Sequence, residues 1–411
     1  MGERGYASET GGFSAERLAR LDRVLGSYVD TGQVAGVEAR LFRRDVPAHV
    51  VSLGHRDEAA GTALGHDTIF RIASMTKPIT SVAALILLEE NLIRLDDPIE
   101  RWIPELANRR VLRRIDGPLD DTVPAERPIT VLDLLTHRAG LASAALNTEG
   151  PLGAALQELS PGLGIRHSGG VDDFLARFGE LPLVHQPGTL MNYGFSTDVL
   201  GFLIGRVSGQ GFPDFVEERI CAPLRLKDTG FWVPPAKLER LAVCDAYDPA
   251  TGRRTVTDHP RQSNWAAPPA VPSGAGGMVS TGIDYERFGR MLMGMGKVPG
   301  EKGPRILSRK SVELMIADRM PAAVRAQRFF GFDFWSEKGF GLGVWVRDRT
   351  GVQAGLGSPG SYGWGGAFGT WWFNDPAEDL TAVLMIQTFF PDPTPAIHRD
   401  FRTAVYQAID D

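Results

Sequence analysis

The chain has 411 residues, a formal net charge of -6 at pH 7, 43% hydrophobic residues and 23% charged residues. That is more chain than one small core takes, with the apolar content of a globular protein. Both signs of charge are interspersed, which excludes an extended basic nucleic-acid face and a solvating acidic tail.

The opening stretch "MGERGYASETGGFSAERLARL" is polar and lacks the apolar region of a secretory signal. Ser14 is placed to cap a helix carrying Leu18, Leu21, Leu25 and Tyr28 on one face. "VEARLFRR" and "HVVSLGHR", separated by a turn around Asp45–Pro47, read as a β-hairpin. The longest apolar run, within Ile79–Leu88, is far shorter than a membrane span. "ITVLDLLTHRAGL" reads as a helix ended by Gly140, and Asn147–Gly170, rich in Gly, Pro and Ser, as a long loop. "VDDFLARFGEL", "STDVLGFLIGRVSG" and "FPDFVEERICAPL" have helical periodicity. A glycine-rich turn, Gly274–Gly277, precedes the helix "TGIDYERFGRMLMGM". "GFGLGVWVRD", "SYGWGGAFGTWWFND" and "LTAVLMIQTF" alternate like antiparallel strands. Thr394 and Pro395 open a last helix with Ile397, Phe401, Val405 and Ile409 on one face. Cys221 and Cys244 form no metal or redox motif and are expected as free buried thiols.

The fold class expected is α/β (α+β): an antiparallel sheet flanked by N- and C-terminal helices, with an all-helical lobe inserted. The α/β lobe spans about 1–73 and 275–411, and the helical lobe about 74–274, within one domain of 1–411.

One short stretch carries chemistry. "IFRIASMTKPIT" sets Ser74 three residues before Lys77, at the mouth of the apolar run "ITSVAALILL". On a helix the two side chains share a face. A serine hydroxyl needs a base, and burial or a helix N-terminus makes lysine release its proton. Pro78 fits a helix start near Met75. The Ser-x-x-Lys spacing alone is a weak signal; its position at a buried helix strengthens it.

The stretches "FRIASMTKPIT", "LDDPIERWIPEL", "PITVLDLLTHRAGL", "QPGTLMNYGFSTDVLGFLIGRVSG", "SGAGGMVSTGIDYERFGRML" and "GWGGAFGTWWFNDP" follow one another in an order that resembles the serine β-lactamase and penicillin-binding-protein superfamily. The closest resemblance is to its esterase branch, the family VIII carboxylesterases. The resemblance implies that Ser74 is the acylated nucleophile and that Lys77 shares its proton. It implies that Tyr193 acts with Lys77 as general base and acid, its phenol made more acidic by the lysine charge. It places Trp364, Gly365 and Gly366 on a strand edging the substrate, and Ala367 as the second oxyanion N–H beside that of Ser74. It implies no cofactor.

Two departures bear on substrate. Trp364 stands where lactamases carry the lysine that grips a carboxylate; losing a charge-assisted hydrogen bond of about 1.5–3 kcal/mol disfavours such substrates. Phe195 stands where they carry an asparagine, and cannot hydrogen-bond an amide. Together they favour neutral esters of small to medium acyl chains. A β-lactamase, a D-amino-acid peptidase, an amidase and an acyltransferase use the same centre and remain rivals. A lactamase needs another cation, for which Arg347 or Arg349 is placed.

"GLGSPG" (Gly355–Gly360) matches a dinucleotide string, but a strand rather than a helix follows. No G-x-S-x-G elbow occurs, and the eight histidines show no metal-ligand spacing. His137 reads as a structural hydrogen bonder able to organise the site without touching substrate. Trp265, Phe332, Phe334, Trp335 and Trp345 read first as core and second as pocket lining. The expectation is a cytoplasmic serine hydrolase with a small-molecule ester substrate, no nucleic-acid or membrane partner and no metal. Its oligomeric state is unreadable.

Overall fold

The computed structural model describes residues 4–5, 11–143, 147, 149–160, 167–300, 304–335, 338–347 and 355–411. Its centre is a nine-stranded antiparallel sheet built from both ends of the chain. Across the sheet run Arg4–Gly5, Val46–Asp57, Gly36–Arg43, Leu380–Met385, Trp371–Asp375, Tyr362–Gly365, Trp345–Arg347 and Lys338–Phe340, with Thr62–Ala63 paired to Val46–Asp57. The predicted hairpin turns at Arg44 and Asp45, both left-handed (φ 52° and 60°). Pro47 lies by a register shift, where a missing N–H is tolerated.

The strands Trp371–Asp375 and Leu380–Met385 are buried throughout because both faces are covered. Side chains alternate across a strand, so Leu380, Ala382 and Leu384 join one core and Val383 and Met385 the other. On the neighbouring strand Trp371 and Phe373 face the first core and Trp372 the second. Helices Ala15–Asp30 and Ala396–Gln407 cover the first face; helix Gly282–Met293 covers the second. Ser14 caps the first helix as predicted, accepting from Arg17 N.

The middle of the chain is largely helical and wraps the helix Thr76–Glu89, which is buried continuously from Thr76 to Leu87. It also carries two strand pairs within the stretch expected to be all helix: Arg110–Leu112 with Thr122–Pro124, and Cys244–Asp248 with Arg253–Asp258. The second pair is joined by Thr388–Phe389 from the other end of the chain. The predicted long loop holds a helix, Gly150–Leu159. Its Gly and Pro residues sit in the first turns while Leu152, Leu156 and Leu159 bury one face. The helix after Ile129 is shorter than predicted. It spans Val131–Leu135 under a Thr130–Asp133 capping box and stops before His137, whose φ of 53° leaves the helical region. Cys221 and Cys244 are free, buried thiols. Among the described residues no helix is long and apolar enough to cross a membrane.

Gly289 shows how tightly the second face is filled. A Cβ there would stand 2.4 Å from Trp372 Nε1, which is itself held by Asn374 Oδ1 at 3.1 Å. Alanine ordinarily stabilises a helix relative to glycine by about 1 kcal/mol. Here Gly289→Ala is expected to destabilise by about 1–3 kcal/mol through overpacking. Urea unfolding checks this, and an increase in stability would show that the indole has room to move.

Candidate active site

The site lies where the middle of the chain meets the end of the strand Tyr362–Gly365. Phe70–Arg71 pairs with Val279–Ser280, and Ile72 N donates to Met278 O at 3.1 Å. Ala73 follows in a left-handed conformation, φ 43°, unusual for a residue with a Cβ. It turns the chain abruptly, and Ser74 lies in the single 3₁₀ turn Ala73–Met75 leading into the buried helix. Strain of this kind persists only where neighbours over-determine the backbone. Here Tyr285 Oη donates to Met75 O at 2.8 Å, Met278 N to Thr76 Oγ1 at 3.2 Å, and Thr80 Oγ1 to Gly274 O at 2.7 Å.

Lys77 is 2% exposed. Its Nζ lies 3.0 Å from Ser74 Oγ and donates to Ala275 O at 2.7 Å. Burial drives its ammonium well below the ordinary lysine range; the negative charge of Asp198 opposes this more weakly. The glycine-rich run Ser273–Gly277 is thus more than a turn, because it carries the carbonyl that anchors the amine. Gly274 lets it approach: a Cβ there would stand 2.5 Å from Thr197 O.

Tyr193 is also buried. Its hydroxyl hydrogen-bonds with Ser74 and accepts from Trp364 Nε1 at 3.0 Å. The sequence expectation had Lys77 making this phenol more acidic. Burial outweighs its hydrogen bonds and pushes it up instead, so Tyr193 holds its proton. Lys77 Nζ stands 4.3 Å from the centre of the tyrosine ring. His137, fully buried and kept neutral by burial and by Lys77, packs its ring 4.6 Å from that of Tyr193. Gly194 N donates to His137 Nδ1 at 3.4 Å, and Thr197 Oγ1 lies 3.3 Å from Nε2. The histidine therefore holds the turn that carries the tyrosine.

Ala367 follows the strand Tyr362–Gly365 in a turn and lines the same cavity as Ser74. The two segments touch: a Cβ on Gly366 would stand 2.4 Å from Ile72 O and 2.2 Å from Thr370 Oγ1. Trp364, Gly365 and Gly366 are not among the cavity's lining residues. Trp364 is 3% exposed, and its indole N–H is directed at Tyr193. Phe195 does line the cavity, backed by Phe178 at 5.3 Å between ring centres. Arg347 donates to the carbonyls of Leu356 and Gly355. Arg349 lies outside the described residues.

The cavity encloses about 440 Å³. Ser74, Lys77, Tyr193 and Asp198 form its floor, and Phe231, Trp265, Val271 and Phe368 form apolar walls. Of the aromatic residues considered from sequence, Trp265 lines it, with its indole N–H on Gly277 O at 2.9 Å. Trp335 and Trp345 are core, and Phe332 is exposed. Sequence reasoning missed Asp198, a 2%-exposed carboxylate. An acid in the first turn of a helix reads as an ordinary dipole partner; the available signal was its place directly before the apolar run "VLGFLIG".

The chain is similar to known proteins over nearly its whole length. The family model described as Beta-lactamase matches residues 21–407. Protein Rv1367c of Mycobacterium tuberculosis is 40% identical over 361 residues, covering 87% of each chain. Esterase EstB of Burkholderia gladioli is 30% identical over 410 residues, covering 96% of each. The solved structure of EstCE1, described as a hydrolase with promiscuous acyltransferase activity, superposes with a TM-score of 0.79 at 24% identity. It covers 95% of this chain and 98% of that one. The match over nearly the whole length, on this fold, means that the chain belongs to the beta-lactamase family of serine hydrolases.

Proposed function

We propose that the protein hydrolyses carboxylic esters through an acyl-enzyme on Ser74. The observation that carries this reading is the Lys77 amine, buried and 3.0 Å from Ser74 Oγ, with a protonated Tyr193 hydrogen-bonded to the same serine. The two groups divide the work. The neutral amine gives one N–H to Ala275 O and turns its lone pair to the serine proton. Ser74 Oγ attacks the ester carbonyl, and its proton passes to Lys77. The oxyanion is taken by the N–H groups of Ser74 and Ala367. Tyr193 protonates the departing alkoxide and is reprotonated from Lys77. Water then releases the acid by the same groups in reverse. On this reading residues 1–411 act as one hydrolase domain.

The walls support a neutral, largely apolar acyl group of small to medium size. Among the described lining residues Lys77 is the one lysine and there is no arginine, so a substrate carboxylate meets Asp198 without a guanidinium to offset it. Full-length similarity to esterase EstB supports an ester rather than a lactam.

Ser74→Ala is expected to lower kcat on p-nitrophenyl butyrate by about 10³ or more. Near-wild-type turnover in a clean preparation would overturn the assignment. Nitrocefin is expected to be a poor substrate, and turnover exceeding that of the ester would restore the lactamase reading.

Because the lysine must be neutral to act as base, kcat/KM should rise with pH as Lys77 loses its proton, with a limb near its lowered value of about 7. A profile that is flat or falling across that range would exclude lysine as the base.

Trp364→Phe removes the bond to Tyr193 but keeps an aromatic ring. A bond of about 0.5–1.5 kcal/mol corresponds to a roughly 2–10-fold loss in kcat. KM should hold, and a change confined to KM would mean that the indole contacts substrate.

A further inference from the structure

Lys77 is oriented by the carbonyl of a residue whose own N–H is held in turn. Ala275 O accepts from Lys77 Nζ, and Ala275 N donates to Asp198 Oδ1 at 3.1 Å. The same carboxylate oxygen accepts from Ser273 Oγ at 2.5 Å, and Ser273 Oγ accepts from Gly276 N at 3.1 Å. Asp198 comes from the first turn of the helix Ser196–Ser208 and borders the cavity floor. These bonds alone do not require a charge, since an asparagine oxygen accepts from a hydroxyl and an amide equally well. A buried carboxylate is costly unless a cation is near.

The groups around the amine come from four elements: Ser74 from the turn before its own helix, Tyr193 from the turn before Ser196, His137 from the segment after Val131–Leu135, and Asp198. Burial keeps Tyr193 and His137 uncharged, which leaves Asp198 as the group near Lys77 able to carry the opposite charge; burial raises its own carboxyl to about 6, while Ser273 and Lys77 pull it down.

We propose that Asp198 is a positioning residue for the reaction. It aligns the Ala275 peptide so that its carbonyl takes one lysine proton and leaves the lone pair on Ser74, and its charge holds the amine in a form that can both accept and return a proton. The inference rests on the Ser74–Lys77 reading above. A purely apolar floor would lower the lysine further and make it a weaker proton acceptor. Asp198 opposes that by favouring the charged form.

The test is the pH profile of kcat/KM on p-nitrophenyl butyrate for wild type, Asp198→Asn and Ser74→Ala. Removing the negative charge removes what raises the lysine, so the ascending limb of Asp198→Asn should move to lower pH by about 1 unit. Its plateau should fall by up to about tenfold, because an amine that has lost the opposing charge is a weaker proton acceptor. A limb that stays in place while turnover falls would reduce Asp198 to a structural hydrogen bonder and overturn the proposal. If Asp198→Asn does not fold, the wild-type protein answers through NMR of lysine labelled at Cε. The Lys77 resonance should show a second, smaller inflection on the acid side of its own titration, and a single inflection would overturn the proposal. Ser74→Ala separates the two claims: an active Ser74→Ala sinks the mechanism itself. An inactive one, with an unmoved limb in Asp198→Asn, sinks only the role of Asp198.

Discussion

The structure depends on one costly placement, an amine at the start of a helix buried on every side. Water would hold the Lys77 proton; the interior takes that water away and offers one carbonyl and one hydroxyl instead. Much of the surrounding architecture serves to keep this tolerable. The segment Ser273–Met278 is stitched to the helix by bonds to Lys77, Thr80 and Thr76. Tyr285 secures the Met75 carbonyl from the far side. The left-handed Ala73 sets the angle at which the serine meets the cavity. A buried base needs a rigid surround, because a small retreat of any of these groups would readmit water and return the lysine to its ordinary charge.

The sheet gives this arrangement its second half. It is covered on both faces, and its edge past Tyr362–Gly365 is pressed against the serine turn through Gly366. The close approach there explains the glycine at 366 better than loop flexibility does. Beside it, Trp364 connects the sheet to the tyrosine. Serine and amine thus come from one helix start and the phenol from the turn before Ser196, while the groups that fix them come from other parts of the chain.

What could be read beforehand followed from how local each signal was. The Ser74–Lys77 spacing and the apolar run behind it are contiguous, and so are the alternating strands at the carboxy-terminal end. Tyr193 has no local signature that separates it from a core tyrosine; only the order of distant motifs marked it. The helix Gly150–Leu159 was hidden because glycine and proline at its start mimic a loop, although Leu152, Leu156 and Leu159 carried the true period. His137 was expected inside a helix because its left-handed backbone depends on tertiary contacts with Gly194 and Asn192. The roles of Trp364 and Asp198 depend on which way a side chain turns, and periodicity says nothing about that.

The division of the sheet between the two ends of the chain has a consequence for biosynthesis. A nascent chain that has emerged through Ser74, Lys77 and Tyr193 already holds every side chain of the proposed chemistry. It still lacks Ala275, whose carbonyl fixes the amine, and the strand that brings Gly366 against Ile72 and Trp364 onto the tyrosine. On the proposed mechanism the site is therefore unfinished until the last part of the chain has been made, because that part carries the groups that bury and hold the lysine.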